Sequence, residues 1–347
     1  MNVDVDPLDI ARQFALPALP DSVAALEGGL INRSWRVRAV DGSQWLLQRI
    51  NPDVFPDGAH VMENIARVTA HLGRRHARGE SGERDCLSLV RTADDATAVR
   101  AEDGAWWRMF RFIGRAHTRH IAQDADDAFR AARAFGEFLA HLADFTEPLH
   151  ETIPGFHDTA RRLTALDGAS AADPAGRVRH AVRELELAHE WRGLAHQLGP
   201  LLDAGRLPRR VVHNDAKIAN VLFDDATGAA LCVIDLDTVM PGTALWDVGD
   251  LLRSLSSRAG EEAADPDEVE VERERVEAVR DGWLTGAGQV VTGEERALIL
   301  DAGKVIAYEQ GVRFLTDYLL GDQYYPVDDE EHNLRRARTQ FRIVEQL

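Results

Sequence analysis

The chain predicts an α+β fold, a small β-rich N-terminal part followed by a larger, mainly α-helical one. Residues 21–50 alternate apolar and polar side chains around Asp41-Gly42, a two-residue hairpin signal. After Gly114 the apolar residues fall at helical spacing. A length of 347 residues exceeds what one hydrophobic core comfortably serves. The boundary is drawn at residue 112, giving lobes of 1–112 and 113–347.

In the first lobe, Val23 to Leu26 leads through Gly28-Gly29 into Trp35 to Val40, and Trp45 to Ile50 returns after the turn. Val61, Ile65, Val68 and Leu72 predict a helix from Gly58 to Gly73, with Glu63 on it. Leu87 to Val90, Thr97 to Arg100 and Trp106 to Ile113 predict strands. In the second lobe, Phe129, Ala132, Phe135, Phe138 and Leu142 predict a helix over 125–145. Residues 167–176 are small and polar and predict a loop, followed by a long helical stretch from Arg177 to Leu202. Val211-Val212 and Leu231 to Leu236 predict buried strands. Further helices are expected at Trp246 to Leu255, Val269 to Leu284, Gly293 to Tyr318 (with a possible break) and Glu330 to Leu347. Gly260 to Asp267 is acidic, carries a proline and predicts an exposed loop.

Composition narrows the function classes. A formal charge of −18 opposes nucleic-acid binding, which needs a basic surface. No apolar run has the length to span a bilayer, and the acidic start, Met1 to Asp9, is unlike a signal peptide. Cys86 and Cys232 match no metal-ligand spacing and predict buried thiols, which with the other features predicts a cytoplasmic protein. Oligomeric state is not readable. Lysine occurs only at Lys217 and Lys304, so any role that demands lysine has two candidates.

The most informative stretch is His213-Asn214-Asp215-Ala216-Lys217-Ile218-Ala219-Asn220, followed by an apolar run and Ile234-Asp235-Leu236-Asp237. Kinase-type phosphoryl transfer requires H-x-D-x-x-x-x-N followed by a strand-borne Asp. A carboxylate, Asp215, accepts the proton of the attacking hydroxyl. An amide oxygen, Asn220, and a second carboxylate, Asp235, suit Mg²⁺, which takes a few protein oxygens beside those of phosphate. Lys217, two residues after the base, can reach the transferring phosphoryl group. Asp237 could hold a second metal, contact the acceptor or cap a turn. Asp247 and Asp250 read as supports of the catalytic loop. This motif, after a β-rich lobe, predicts a two-lobed protein-kinase-like fold with ATP between the lobes.

Gly28 and Gly29, with Asn32 and Ser34, would let backbone N–H groups approach the phosphates. The lysine usual on the following strand is missing. Gln48 or Arg49 takes its place, and alternation puts the two on opposite faces. Glu63 could pair with Arg49 or lie on the helix surface.

The two-lobe motif order resembles the aminoglycoside phosphotransferase-like kinases of small molecules. Longer strings are similar to one branch, the N-acetylhexosamine 1-kinases. They are Leu46-Leu47-Gln48-Arg49-Ile50-Asn51, Met62-Glu63-Asn64-Ile65, Glu151-Thr152-Ile153-Pro154-Gly155-Phe156-His157, residues 234–242, Arg313-Phe314-Leu315-Thr316-Asp317-Tyr318-Leu319 and Glu331-His332-Asn333-Leu334. The resemblance implies ATP- and Mg²⁺-dependent phosphorylation of the anomeric hydroxyl of N-acetylglucosamine or N-acetylgalactosamine. It also implies glutamine at the lysine position and a sugar contact by Arg313. It extends less firmly to Asp317, Tyr318 and His157. The rivals are the same chemistry on an aminoglycoside, choline, homoserine or another sugar, and a nucleotide- or sugar-binding regulator without turnover.

Overall fold

The computed structural model describes residues 5–26, 31–79, 82, 84–260, 262–263 and 265–347. The chain divides into two compact units, and neither is a single stretch. Unit 1 comprises 1–117, 144–154 and 222–240; unit 2 comprises 118–143, 155–221 and 241–347.

Unit 1 opens with a short helix α1 (Pro7–Ala11), capped by the Asp6 carboxylate. An antiparallel sheet follows: β1 (Pro20–Leu26), β2 (Arg33–Ala39) and β3 (Gln44–Arg49). Helix α2 (Gly58–Ala77) then precedes β4 (Leu89–Val90), β5 (Val99–Arg100), β6 (Trp106–Arg111) and β7 (Ala116–His117). The order is β1-β2-β3-β6-β4, with β5 also on β6. Strand alternation sorts the two faces. Val37, Leu47, Trp107 and Met109 join Ile10 and Phe14 of the α1 region in one core. Their neighbours Ser34, Gln48 and Arg108 are cross-strand partners in a row on the opposite face. Helix α2 starts at an Asp57 cap and buries Val61, Met62, Ile65 and Val68, four residues at one-face spacing.

The expected strands in this unit are present; Leu89–Val90, Val99–Arg100 and Trp106–Arg111 are shorter than expected, while Pro20–Leu26 begins three residues earlier. Two were not expected. Val221–Asp224 pairs with β7 and with Ala230–Val233 in a three-stranded sheet. The latter strand stops at Val233, short of the expected Leu236, because Asp235 turns left-handed (φ 62).

In unit 2, α3 (Ala125–His141) is capped by Asp124. Of the predicted loop, 167–172 is instead the end of α4 (Thr159–Ala172), capped by Asp158 and stopped at Asp173 (φ 38), and 173–176 is non-helical as expected. Its buried face is Leu163, Leu166 and Ala169; the Ala, Gly and Ser residues between them hid the periodicity. The long helix expected over 177–202 is broken into short turns around α5 (Val182–Glu190) and α6 (Leu198–Asp203). Gly193 and Gly199 weaken it, and Pro200, with no N–H to donate, can sit only in a first turn. Then come α7 (Ala244–Leu255), α8 (Arg273–Ala287), α9 (Gly293–Ala297), α10 (Ile299–Leu320) and α11 (His332–Gln346). A break at Leu298 separates α9 from α10, and α8 begins four residues later than predicted.

Helix α10 is buried along most of its length. Its Tyr308, Val312, Leu315 and Leu319 pack with Leu163, Leu166, Leu334 and Phe341. Helices α3 and α8 approach closely because Gly136, Gly282 and Gly286 face the opposing backbone. A Cβ at any of the three would lie closer than 3.0 Å to backbone atoms of the facing helix. Among the described residues no helix is long and apolar enough to cross a membrane.

Candidate active site

The catalytic-motif loop lies in unit 2, between a short strand (Arg210–Val212) and a 3₁₀ turn (Ile218–Asn220). His213 is fully buried, with edge-on contacts to Phe135 and Phe138 of α3. Asp247, in the first turn of α7, accepts from the backbone N–H groups of His213 (2.9 Å) and Asn214 (2.8 Å). Burial raises the Asp247 pKa, against those two amides and His213. The supporting role predicted for Asp247 is thus its geometry here. Asn214 adopts a left-handed conformation (φ 65), one that a non-glycine residue holds only when its surroundings impose it.

Asp215 projects next, with 24% of its side chain exposed. Lys217 Nζ lies 2.9 Å from its Oδ2. Asn220 Nδ2 donates to the same Oδ2 (2.9 Å) and to the Asp215 carbonyl (2.8 Å). Burial pushes the Asp215 carboxyl up; Lys217, His213 and Asn220 outweigh it and hold the pKa at about 2. With its amide donors committed to Asp215, Asn220 has its Oδ1 oxygen as the end suited to a hard cation. Asp250 on α7 pairs with Arg253 (2.7 Å), and burial raises its pKa.

Arg313 on α10 lies over the rings of Phe156 (5.3 Å) and Tyr325 (5.8 Å) and donates to Gln310 Oε1 (3.1 Å). Arg162 is beside it, donating to the Phe156 carbonyl (3.1 Å); burial and then the Arg313 charge lower its pKa. Arg162 was not foreseen, because it lies on α4, the helix whose periodicity was hidden. Two residues expected at the substrate have other partners here. Asp317 accepts backbone N–H groups of Gln323, Tyr324 and Tyr325 and the Asn333 amide, all at 2.9–3.0 Å. Those four bonds fill its acceptor sites, so it organises the loop after α10. Tyr318 is a core residue, 3% exposed, with the Arg177 guanidinium 4.8 Å from its ring centroid.

In unit 1, Gly28 and Gly29 lie outside the described residues. Asn32 is buried: it donates to Asp237 and accepts from the Asn51 N–H (3.0 Å). Gln48 donates to Ser34 Oγ (3.0 Å) and accepts from Arg108 Nε (3.0 Å). Arg49 pairs instead with Asp103 (3.0 Å), so the proposed Arg49–Glu63 pair does not form. Glu63 is half-exposed on the helix surface, the second of its two expected settings, and is bound to His150 (2.7 Å) and Arg67 (3.0 Å).

The Asp237 carboxylate is 3% exposed and bound by Arg108 and Asn32. Sequence reasoning missed Arg108; the signal was a charged residue inside the apolar strand 106–110. Asp235, two residues earlier, is half-buried between the end of its strand and the turn Leu236–Thr238. Its carboxylate oxygens have the chemistry Mg²⁺ prefers. Among the described residues no group of three or more His, Cys, Asp or Glu is arranged to hold a metal.

The fold is similar to that of an aminoglycoside phosphotransferase from Alicyclobacillus acidocaldarius, with TM-score 0.65, 13% identity, and 99% of this chain and 95% of that one covered. It is also similar to a microcompartment-associated aminopropanol kinase (TM-score 0.60, 16% identity, 96% and 94% covered). A third likeness is to a spectinomycin phosphotransferase solved with ADP and spectinomycin (TM-score 0.56, 13% identity, 95% and 95% covered). At such identities the likeness is one of fold, and that fold is the aminoglycoside phosphotransferase-like kinase fold. Residues 22–283, more than half of the sequence, match the family model itself, and the chain therefore belongs to the phosphotransferase enzyme family.

Proposed function

We propose that this protein transfers the γ-phosphoryl group of ATP to the anomeric hydroxyl of an N-acetylhexosamine, giving the sugar 1-phosphate. The observation that carries the reading is Asp215. It is a partly exposed carboxylate, held ionised, on a loop fixed by Asp247. An acid with a pKa of about 2 is a weak base. Phosphoryl transfer through a loose transition state needs mainly a group that aligns the hydroxyl and takes its proton late. Lys217, already at the Asp215 carboxylate, offsets charge on the transferring group. ATP as donor is in keeping with the ADP bound in the spectinomycin enzyme.

Asn220 and Asp235 each carry an oxygen donor of the kind Mg²⁺ prefers, and the ion when bound would neutralise charge on the phosphates. Gln48, fixed by Ser34 and Arg108, replaces the usual lysine with a neutral amide. The acetamido sugar is favoured over an amine acceptor by Arg313 and Arg162. Two guanidinium groups at Phe156 repel an ammonium but donate readily to hydroxyl and acetamido oxygens.

The test is incubation with Mg-ATP and a panel of N-acetylhexosamines, unacetylated sugars and amino alcohols, with NMR assignment of the phosphorylated carbon. Phosphate on the anomeric carbon of an N-acetylhexosamine is expected. Phosphorylation only of amino alcohols, or nucleotide binding with no phosphorylated product, would overturn the reading.

A further inference from the structure

The buried pair His157–Glu309 has no part in the chemistry above. His157 Nδ1 lies 2.9 Å from Glu309 Oε1, and Nε2 lies 3.2 Å from the backbone carbonyl of Asn214. Both side chains of the pair are at most 4% exposed. Glu309 Oε2 accepts from the Thr159 hydroxyl (2.6 Å). Burial pushes the Glu309 carboxyl up, but His157, Arg313 and Thr159 bring it below its ordinary value. A carboxylate and a backbone carbonyl can only accept. With Glu309 ionised, both imidazole nitrogens face acceptors, an arrangement that the doubly protonated ring satisfies.

The carbonyl that His157 holds belongs to the peptide unit joining Asn214 to Asp215. The N–H of that same planar unit points to His213 Nδ1 (3.3 Å). The N–H of the preceding unit, Asn214 N, is held by Asp247. Fixing that peptide plane sets the direction in which the Asp215 side chain leaves the backbone.

We propose that His157 is a positioning residue for Asp215, an imidazolium bridging Glu309 and the Asn214 carbonyl, and that acceptor turnover falls when it loses a proton. The inference rests on the reading of Asp215 as the residue that orients the acceptor. The charged groups around His157 are Glu309 and Arg313 on α10, Arg162 on α4, Asp247 and the Asp250–Arg253 pair on α7, and the Asp215–Lys217 pair on the loop. The rings of Trp246 (5.1 Å) and Phe156 (4.8 Å) close its faces.

Long-range ¹H–¹⁵N spectra of the histidine side chains in the full chain test the protonation state directly. Two protonated nitrogens on His157 at neutral pH are expected. One unprotonated nitrogen overturns the proposal, whether or not any acceptor is turned over.

Kinetics test the positioning. The wild-type kcat/KM for acceptor should show an alkaline limb, while KM for ATP stays constant. In Glu309→Gln the imidazolium loses its counter-charge, so that limb should move to lower pH by about one unit or more. A normalised Glu309→Gln profile that superimposes on wild type would mean a packing role only and overturn the assignment. In His157→Gln the limb should vanish, with kcat lowered at every pH.

Discussion

At the residue scale, charge fixes what Lys217 does for Asp215. The carboxyl titrates at about 2 rather than 3.8 because Lys217 outweighs burial. Its contribution to stability is therefore complete above about pH 4 and is lost as pH falls through about 2. Lys217→Met removes the favourable charge but keeps the burial, so the titration of Asp215 should move up by on the order of 1–3 pH units. Carboxyl ¹³C NMR would register it, and acid unfolding should begin at a higher pH. An Asp215 titration unchanged by the substitution would reject this account. The Arg108–Asp237 pair is a second case, since it is almost fully buried. Removing one partner leaves an uncompensated charge, so Asp237→Ala should cost about 3–5 kcal/mol in urea unfolding. Arg108→Met combined with Asp237→Leu should recover most of that loss.

Among elements, the glycines of unit 2 make opposite predictions from the same substitution. Gly286→Ala in α8 gains up to about 1 kcal/mol of helix propensity. Its new methyl, however, meets the backbone of Arg133 and Glu137. Forcing α3 and α8 apart costs about 1–3 kcal/mol, so the variant should be destabilised. Gly168 in α4 has nothing within 4 Å of its added Cβ; Gly168→Ala should stabilise by up to about 1 kcal/mol. Equal effects on the melting temperature would refute the packing argument. These helices also show what was legible. α2, α3 and α7 announced themselves through long apolar side chains at helical spacing. α4 did not, because its buried face has only Leu163 and Leu166 as large apolar residues before Ala169, and the Asp158 cap was the remaining signal. The hairpin of β2 and β3 was readable from alternation and Asp41-Gly42. The strand at Val221–Asp224 was not, because its partner β7 is more than a hundred residues away in sequence.

For the whole molecule, local motif spacing foretold the Asp215, Lys217 and Asn220 cluster because three close positions on one loop need no long-range knowledge. The row Ser34–Gln48–Arg108 needed sheet register, and Asp237's partner needed the return of the chain into unit 1. Asp317 shows the converse: a string of matching residues marked it for substrate, while its four local hydrogen bonds give it to a loop. Unit 1 depends on those returns. Without 144–154 and 222–240, Arg108 lacks Asp237, Asn64 lacks its bonds to His150, and β7 lacks Phe223 and Asp224. A fragment of 1–117 should exchange its sheet amides far faster than the intact protein does; equal protection would contradict this dependence. A polypeptide emerging from the ribosome at about 5–20 residues per second faces the same constraint. Its first-made sheet must wait, with Arg108 bonded to Gln48 but lacking its carboxylate, until residue 237 has left the exit tunnel.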